Sequence, residues 1–370
     1  MRFLLEPGQE GYCSRAAAAG APPAVLVPLP FPRGFFDPEW AAFAREELAR
    51  VRGLCPPGTE LCALLPAGGF AIEPYGETPF AQCVAHYSSA AGALARAGAG
   101  SILIHRAKSL LQARAGVLGA RAAGLPVYVT LEIHGEGEEL FGGGDILAAF
   151  VTLQELGIAA FGFYSSVAGI ILEPLELVAP WARIPLISVT RNLTASLPAA
   201  ETSRLFEIRT AGLKARGASW QAILGAGEDQ LADAALALAS APPCPIPRGD
   251  YRDSEEIWAA TEKLLFYLDG NAEFSPPIPC QLDMADEIIA LEHESWDALC
   301  IQPQTADEGL AISVNNANLT MLPAAFLSDD EDALDSALFF YNGRAIVDSR
   351  SMIPPGRLLE IAGRYGAVVI

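Results

Sequence analysis

The stretch LQELGIAAFGFY, residues 153–164, contains the pattern that decides the fold. A helix-forming apolar segment stops at Gly157, and a run of apolar and aromatic residues begins at Ala159. Glycine often ends a helix because it adopts the left-handed backbone conformation without steric cost, whereas short aromatic runs favour a β-strand. The stretch therefore predicts a helix followed directly by a buried strand.

The same unit recurs along the chain, as ALARAGAGSILIH, GARAAGLPVYVTLEI, VAPWARIPLISV and LKARGASWQAIL. Its apolar runs begin 26 to 35 residues apart, near Ser101, Val127, Ala159, Pro185 and Trp220. This spacing is typical of parallel strands joined by helical crossovers. Upstream, the runs RFLLE (2–6), AVLVPLP (24–30) and ELCALL (60–65) bring the number of predicted strands to eight.

Eight strands, most of them followed by a helix, predict an α/β fold with a closed (β/α)8 TIM-type barrel. An open, doubly wound sheet stays an alternative, because periodicity does not show closure. One helix start is marked by Thr78 and Pro79, a cap followed by proline at the first helical position. That pair predicts a helix from Phe80 to Gly98.

A proline-rich segment predicts a linker over residues 241–255, between a barrel at 1–240 and a smaller α/β domain at 256–370. Within the smaller domain, the segment DEDALDSALFFYN predicts a helix. Five segments there are interpreted as strands: WDALCIQ, LAISVNN, LPAAFLSD, GRAIVDS and YGAVVI.

Composition limits the function. The net charge of −20 argues against nucleic acid or an anionic membrane as a partner, because both attract Lys and Arg. Seven unpatterned cysteines and the lack of a signal-peptide pattern predict a cytoplasmic protein with free thiols. A small-molecule ligand or a protein partner is therefore expected.

In either fold, the functional end lies where the strands end at their carboxyl side. The candidate residues for a substrate pocket there are Glu6, His105, Arg106, Glu132, Tyr164, Ser165 and Asn192. A structural role is open for each; for example, His105 and Arg106 could end the strand and pair with a carboxylate. The segment FGGGD (141–145) could hold an anion or simply precede an Asp-capped helix. No catalytic role is assigned, since no recognisable nucleophile or nucleotide-binding motif occurs.

Several of these segments resemble the homocysteine-binding barrel of methionine synthases and homocysteine S-methyltransferases. The PYGE turn, the LLQAR helix, the AGLPVYVT strand and the LQELGIAAFGF unit occur in that family's order and near its spacing. RFLLEPGQEGY is similar to the family's first strand. The resemblance covers residues 1–240 and implies a (β/α)8 barrel.

The resemblance also implies zinc bound by three cysteines, one in a G-x-N-C-S context and two in a G-G-C-C-G-T run. Thiolates hold zinc, and zinc keeps the homocysteine sulfur ready to attack a methyl group. Ser165 occupies the first position, Ile223 and Leu224 lie near the other two, and no cysteine occurs between Cys83 and Cys244. We therefore predict that the chain is a member of this family, whose activity is methyl transfer to a thiol, but that it lacks the zinc site. We expect it to bind no metal or other cofactor.

A residue that the family uses to hold the amino-acid ammonium group is also replaced. The resemblance implies an acid after the fourth strand, where this chain has His105 followed by Arg106. A cationic pair there would favour a carboxylate or phosphate, so the ligand is predicted to be anionic.

The segments LPAAFLSDDEDALDSALFFYNGRAIVDS and RLLEIAGRYGAVVI resemble part of the pterin-binding barrel of corrinoid-dependent methionine synthase. This resemblance covers about 295–370 and places Asp348 near the family's pterin-contacting asparagine. Two hypotheses follow. The chain is either a methyltransferase that receives methyl groups from a separate corrinoid protein, or a non-catalytic relative that binds a small molecule or has a regulatory role. A folate or corrinoid partner is an open alternative.

Overall fold

Eight parallel strands close into a barrel. The computed structural model describes residues 2–5, 24–32, 37–67, 70–133, 140, 142–191, 208–225, 227, 231 and 244–370. The strands are β1 (Arg2–Leu5), β2 (Ala24–Pro28), β3 (Glu60–Pro66), β4 (Ser101–Ala107), β5 (Val127–Glu132), β6 (Ala160–Ser165), β7 (Leu186–Arg191) and β8 (Ala218–Leu224). Because β1 pairs with both β2 and β8, the predicted barrel is confirmed and the open-sheet alternative is wrong.

Helices surround the barrel. They are α1 (Pro38–Leu54), α2 (Phe80–Arg96), α3 (Leu110–Ala120), α4 (Ile146–Glu155) and α5 (Leu172–Val178), with further helical residues at 208–215. Three of them begin at a side-chain cap: Asp37, Ser109 and Asp145 each accept a hydrogen bond from a backbone N–H three residues on. Among the described helices, none is long and apolar enough to cross a membrane.

The helix predicted from Thr78 starts as expected at Phe80, but by a different route. Pro79 is its cap residue and provides no side-chain hydrogen bond. Thr78 is not the cap, because its N–H and carbonyl bind Ala71 and Glu73 within the preceding loop. The helix ends at Arg96, and Gly98 adopts the left-handed conformation with φ +86°.

The opening stretch folds as its pattern predicts. Helix α4 ends at Glu155, Gly157 has φ +88°, and β6 begins at Ala160. Along β6, Tyr164 packs in the apolar cluster of the barrel interior, while Phe163 packs in the cluster toward the helices. Gly162 is required because a Cβ there would lie 1.8 Å from the Ile187 carbonyl oxygen.

A second unit follows the barrel. Its elements are β9 (Ile257–Ala260), β10 (Leu265–Leu268), β11 (Ile278–Pro279), α6 (Ala285–Glu292), β12 (Leu299–Gln302), α7 (Gly309–Asn315), β13 (Ala324–Phe326), α8 (Glu331–Phe340), β14 (Ile346–Val347), α9 (Pro355–Tyr365) and β15 (Val368–Val369). Strands β9 and β10 form an antiparallel hairpin, and β11 to β15 form a parallel sheet in sequence order. Apolar residues of the hairpin, including Ala259 and Leu268, pack with Ala298, Ala325 and Ile346 of the sheet segment.

One strand prediction in this unit is wrong: LAISVNN forms helix α7. Ala311, Ile312 and Asn315 are buried, whereas Leu310 and Val314 are exposed, which is the spacing of one helical face. A crossover between the parallel strands β12 and β13 also needs a connecting element, and α7 provides it. The other four segments contain strands, and the helix predicted between them is α8.

The proline-rich segment packs against the barrel. Arg183 forms an ion pair with Asp250, and the buried Tyr251 donates a hydrogen bond to Glu155 at the end of α4. Tyr251 also stacks on Trp258 of β9, with ring centroids 4.5 Å apart. The exact domain boundaries stay a prediction.

Candidate functional site

A β-bulge in β4 shapes the carboxyl end of the barrel, which we call the barrel mouth. The pairing of β4 with β5 shifts register between Ile104 and Ala107, and Arg106 has φ +61°. Among the described residues, Arg106 is the one non-glycine residue with a positive φ. Simple alternation would point His105 inward and Arg106 outward, but a bulge turns consecutive side chains to one face. Both side chains therefore reach the mouth.

Arg106, Glu132 and Tyr164 form a group that we call the mouth trio. The Arg106 guanidinium donates from Nη2 to Glu132 Oε1 at 2.7 Å and from Nε to Oε2 at 3.2 Å. Its central carbon lies 4.6 Å from the centre of the Tyr164 ring. The Glu132 side chain is 5% exposed and that of Arg106 is 44% exposed. A buried carboxylate and an aromatic face thus hold a guanidinium whose remaining surface is open to solvent.

His105 lies beside the trio and is neutral at neutral pH. Burial, reinforced by the positive charge of Arg106 and opposed by Glu132, lowers the pKa of His105 to about 3. A 2.8 Å hydrogen bond joins Nδ1 of the ring to Thr130 Oγ1, and the ring packs edge-on against Tyr164. Thr130 also accepts a hydrogen bond from the backbone N–H of Arg106.

The structure therefore changes the charge predicted for this position. The sequence suggested a cationic pair of His105 and Arg106, but the imidazole is neutral and Glu132 balances the guanidinium. The alternative that Arg106 pairs with a carboxylate at the strand end is the one the structure shows. Glu132 is buried beside Arg106.

Ser165 does not join the mouth trio. Its neighbours on alternate positions of β6, Phe161 and Phe163, belong to the helix-facing core, so Ser165 follows the outward side of the strand. It is buried, and its Oγ accepts a hydrogen bond from the N–H of Val167. Glu6 and Asn192 lie outside the described residues. Of the seven predicted residues, the structure thus brings together His105, Arg106, Glu132 and Tyr164 at the mouth.

The glycine-rich segment before α4 holds the second unit. Asp145 caps α4, as one of the two sequence interpretations proposed. The amides of Gly142, Gly143 and Asp145 donate to the carbonyls of Lys108, Leu140 and Lys263. These three amides are therefore used within the protein and are not available to an anion.

The contact at this segment comes from the turn between β9 and β10, residues Thr261–Leu264, which we call the docking turn. Lys263 Nζ donates to the Gly142 carbonyl at 3.2 Å. Glu262 is 3% exposed and accepts hydrogen bonds from Asn342 and from Tyr75, which lies in the loop after β3. Burial raises the pKa of Glu262. The docking turn thus touches two loops of the barrel mouth, a contact that no sequence motif indicated.

Two pockets on the described surface lie away from the mouth trio. One of about 260 Å³ lies between α1 and α2, and His86 is among the residues lining it. Another of about 260 Å³ lies beyond β14, where the buried Asp348 binds the exposed Arg350 through two hydrogen-bonded guanidinium nitrogens. Asp348, which the resemblance placed near a pterin contact, is therefore already paired.

The cysteines in the described part of the barrel do not lie at the mouth trio. Cys62 packs inside the barrel and Cys83 lies on α2, both fully buried. Burial raises the pKa of the Cys83 thiol to about 11. Within the described ranges, no three His, Cys, Asp or Glu side chains are grouped so that they could bind a metal.

Known proteins similar to this chain share the barrel segment. Residues 37–208 match the family model described as homocysteine S-methyltransferase. A methionine synthase from Mycobacterium tuberculosis (strain ATCC 25618 / H37Rv) is 32% identical over 155 residues, which are 40% of this chain and 12% of that protein. The matched part thus spans about an eighth of that relative's length.

Among solved structures, the homocysteine methyltransferase MmuM from Escherichia coli is similar in two forms. The apo form has 13% identity and a TM-score of 0.49, covering 62% of this chain and 84% of that one. The metallated form has 14% identity and a TM-score of 0.46, covering 65% and 80%. The family-model match over residues 37–208 thus begins just before α1 and extends beyond β7 of the closed barrel.

Proposed function

We propose that this chain binds a small molecule that carries a carboxylate or similar anionic group at the barrel mouth, and that it does so without zinc. The mouth trio is the observation on which the proposal rests. Arg106 is fixed by two hydrogen bonds to Glu132 and is 44% exposed, so it presents an oriented guanidinium to the mouth. Such a group recognises oxyanions through paired N–H donors.

The charge balance narrows the ligand class. Because Glu132 offsets Arg106 and His105 is neutral, the mouth trio and His105 together carry no net positive charge, which does not favour a polyphosphate. A small carboxylate, or an amino acid whose ammonium group approaches Glu132 while its carboxylate approaches Arg106, is the better match.

The zinc-free part of the proposal is supported by the donor chemistry. Ser165 and Leu224, which correspond to or lie near the family's cysteine positions, offer a neutral hydroxyl and an aliphatic group. Neither is a zinc ligand of the kind that structural or catalytic sites use, and the Ser165 hydroxyl already accepts a hydrogen bond. The described side chains at these positions are therefore unsuited to coordinate zinc, and the proposed function includes no step on a zinc ion.

A second candidate is methyl transfer to a thiol, with methyl groups supplied by a folate or a separate corrinoid protein. The family match favours it. Without a metal to hold the sulfur as a thiolate, we expect no methyl transfer to homocysteine by this chain alone, because a free thiol is mostly protonated at neutral pH.

Metal analysis and a thermal-shift screen test both candidates. The screen uses homocysteine, folates, corrinoids, small carboxylates and inorganic phosphate, because a ligand that binds the native state raises the melting temperature. We expect no stoichiometric zinc and a shift with at least one carboxylate compound. That shift should be lost in Arg106→Ala, reduced in Arg106→Lys, and kept in the surface control Arg50→Ala.

Three results would contradict the proposal. Stoichiometric zinc in the purified protein would contradict the proposal that binding occurs without zinc. If both Arg106 variants kept the ligand-induced rise in melting temperature, the mouth trio would not be the binding site. Methionine formation from homocysteine and a methyl donor by the metal-free protein would favour the second candidate.

A further inference from the structure

Residues 264–343 contain fifteen Asp and Glu residues and no Lys or Arg. We call this stretch the acidic segment. It covers β10 to α8 of the second unit and carries most of the chain's net charge of −20. Charge of one sign concentrated on one part of a protein steers partners of opposite charge toward it.

The acidic segment also carries a group of exposed apolar side chains, which we call the α6–α7 patch. Its members are each half or more exposed: Leu282 (69%), Ile289 (50%), Leu310 (53%), Val314 (54%) and Met321 (58%). A single exposed apolar residue needs no explanation, but several grouped together indicate an interaction site.

Two hydrogen bonds within the second unit bring parts of this patch near one another. Leu310 and Val314 are four residues apart on α7 and so share a face. The side chain of Asn315 donates a hydrogen bond to the Leu282 carbonyl, which places Leu282 beside the end of α7. The backbone of Met321 hydrogen-bonds to Glu292, the last residue of α6, where Ile289 lies one turn earlier. The patch therefore extends across α6, α7 and the loops beside them.

Acidic side chains surround this patch. Asp283, Asp286, Glu287 and Asp307 are exposed next to it in sequence. Among the ion pairs described between residues 244 and 370, none involves these four carboxylates. By contrast, Glu331 and Asp335 on α8 are paired with arginines of α9. The four carboxylates next to the patch therefore form no ion pair within the described second unit, although Asp283 and Glu287 accept hydrogen bonds from Ala285 and Gln281.

We propose that the α6–α7 patch docks a protein partner that presents apolar side chains surrounded by Lys and Arg. Charge complementarity selects this occupant. A second copy of the chain would bring the same acidic rim against this one, and like charges facing each other oppose association. An anionic membrane is disfavoured for the same reason. The apolar centre would supply the contact area. The acidic rim would provide specificity and speed up association.

The test uses a synthetic amphipathic helical peptide with leucines on one face and lysines on the other. Its binding is measured by fluorescence anisotropy at low and at high salt. We expect the double variant Leu310→Ser, Val314→Ser to weaken binding about tenfold or more, because apolar anchors dominate such contacts. Added salt should weaken binding to the unaltered protein as well, because the rim charges are exposed.

Two controls separate the patch from general charge attraction. Leu359→Ser replaces a leucine that is 61% exposed on α9, beside Arg357, and should leave binding unchanged. A peptide of the same composition with its apolar face scrambled should bind no better to the protein than to the double variant. All substituted side chains are exposed, so the melting temperatures should match that of the unaltered protein.

Other outcomes would overturn the proposal. Equal binding of the peptide to the protein and to the double variant would show that the patch is not the docking surface. Sedimentation of the protein as a dimer that the double variant abolishes would assign the patch to a second copy. Binding to neutral phosphatidylcholine vesicles that the double variant loses would assign it to a lipid surface.

Discussion

His105 shows how burial sets the chemistry of a single side chain. Its folded-state pKa of about 3 lies below the ordinary value of 6.5, mainly because burial disfavours the charged ring. As the pH falls below about 6.5, the unfolded chain gains a proton that the folded chain does not take up. The stabilising effect of the neutral ring is therefore full above about pH 6.5 and is lost as the pH falls toward 3.

We predict that His105→Gln flattens the pH dependence of stability. The free energy of unfolding, measured by urea titration at about pH 7, 6 and 5, should fall less steeply in the variant, by up to about 1.4 kcal/mol per pH unit. Glutamine keeps a polar partner for Thr130 but does not titrate. The exposed His293→Gln serves as the control for replacing a histidine with glutamine. Equal slopes for His105→Gln and the unaltered protein would contradict the prediction.

At the residue scale, the sequence identified which side chains meet but not their charge state. His105, Arg106, Glu132 and Tyr164 were predicted from their positions at strand ends, and they do meet at the barrel mouth. The bulge that turns Arg106 inward has no sequence signal, because alternation alone points it away. The neutral state of His105 depends on packing by Thr130 and Tyr164, which no local pattern specifies.

Among the elements, the loop before α4 offers a sharp comparison of two neighbouring glycines. A Cβ at Gly144, where φ is +109°, would lie 2.8 Å from the Glu262 carbonyl oxygen. A Cβ at Gly143, where φ is +75°, would meet only the flexible end of Lys263, at 3.5 Å. Alanine strains the backbone at both sites, but at Gly144 it must also displace the docking turn.

We therefore predict that Gly144→Ala destabilises the protein more than Gly143→Ala. The left-handed strain should cost about 1–2 kcal/mol in each variant. The clash with the docking turn should add about 1–3 kcal/mol in Gly144→Ala. Thermal unfolding gives the stability, and limited proteolysis reports exposure of residues 261–264. Equal stability and equal cleavage of the two variants would show that the docking turn is not held by this contact.

The regular elements of the barrel follow from sequence because each strand is short and mostly apolar, and the strands after β1 are preceded by a Gly or Pro stop. In the second unit the same reasoning failed for α7, where a run of apolar residues lies on a half-buried helix. It also missed the hairpin of β9 and β10. Its turn contains neither Gly nor Asn and is closed by the Thr261 hydroxyl, which accepts hydrogen bonds from the backbone of Lys263 and Leu264.

On the scale of the whole molecule, Arg114 joins the barrel to the second unit. It lies on α3, is 1% exposed, and donates to the carbonyls of Leu338 and Phe339 at 2.6 and 2.8 Å. These carbonyls belong to the last turn of α8, which has no intrahelical donors for them. Burial lowers the pKa of Arg114 to about 9, so the side chain remains charged at neutral pH.

We predict that Arg114→Met weakens the attachment of the second unit. Two carbonyls lose their donors, which should lower the free energy of unfolding by about 2–4 kcal/mol. Differential scanning calorimetry should show the second unit melting before the barrel. Arg50→Met on the exposed face of α1 is the matched control. A single transition with an unchanged midpoint in Arg114→Met would contradict the prediction.

The docking turn has a consequence for how the two units influence each other. It touches the loops after β3 and β5, and β5 ends in Glu132, so the attachment of the second unit involves a loop that follows a residue of the mouth trio. Thermodynamic linkage is reciprocal: a ligand that favours the docked arrangement tightens the attachment by the same factor by which the attachment tightens ligand binding. A substitution in the second unit, far from the ligand, would then appear as an altered affinity at the barrel.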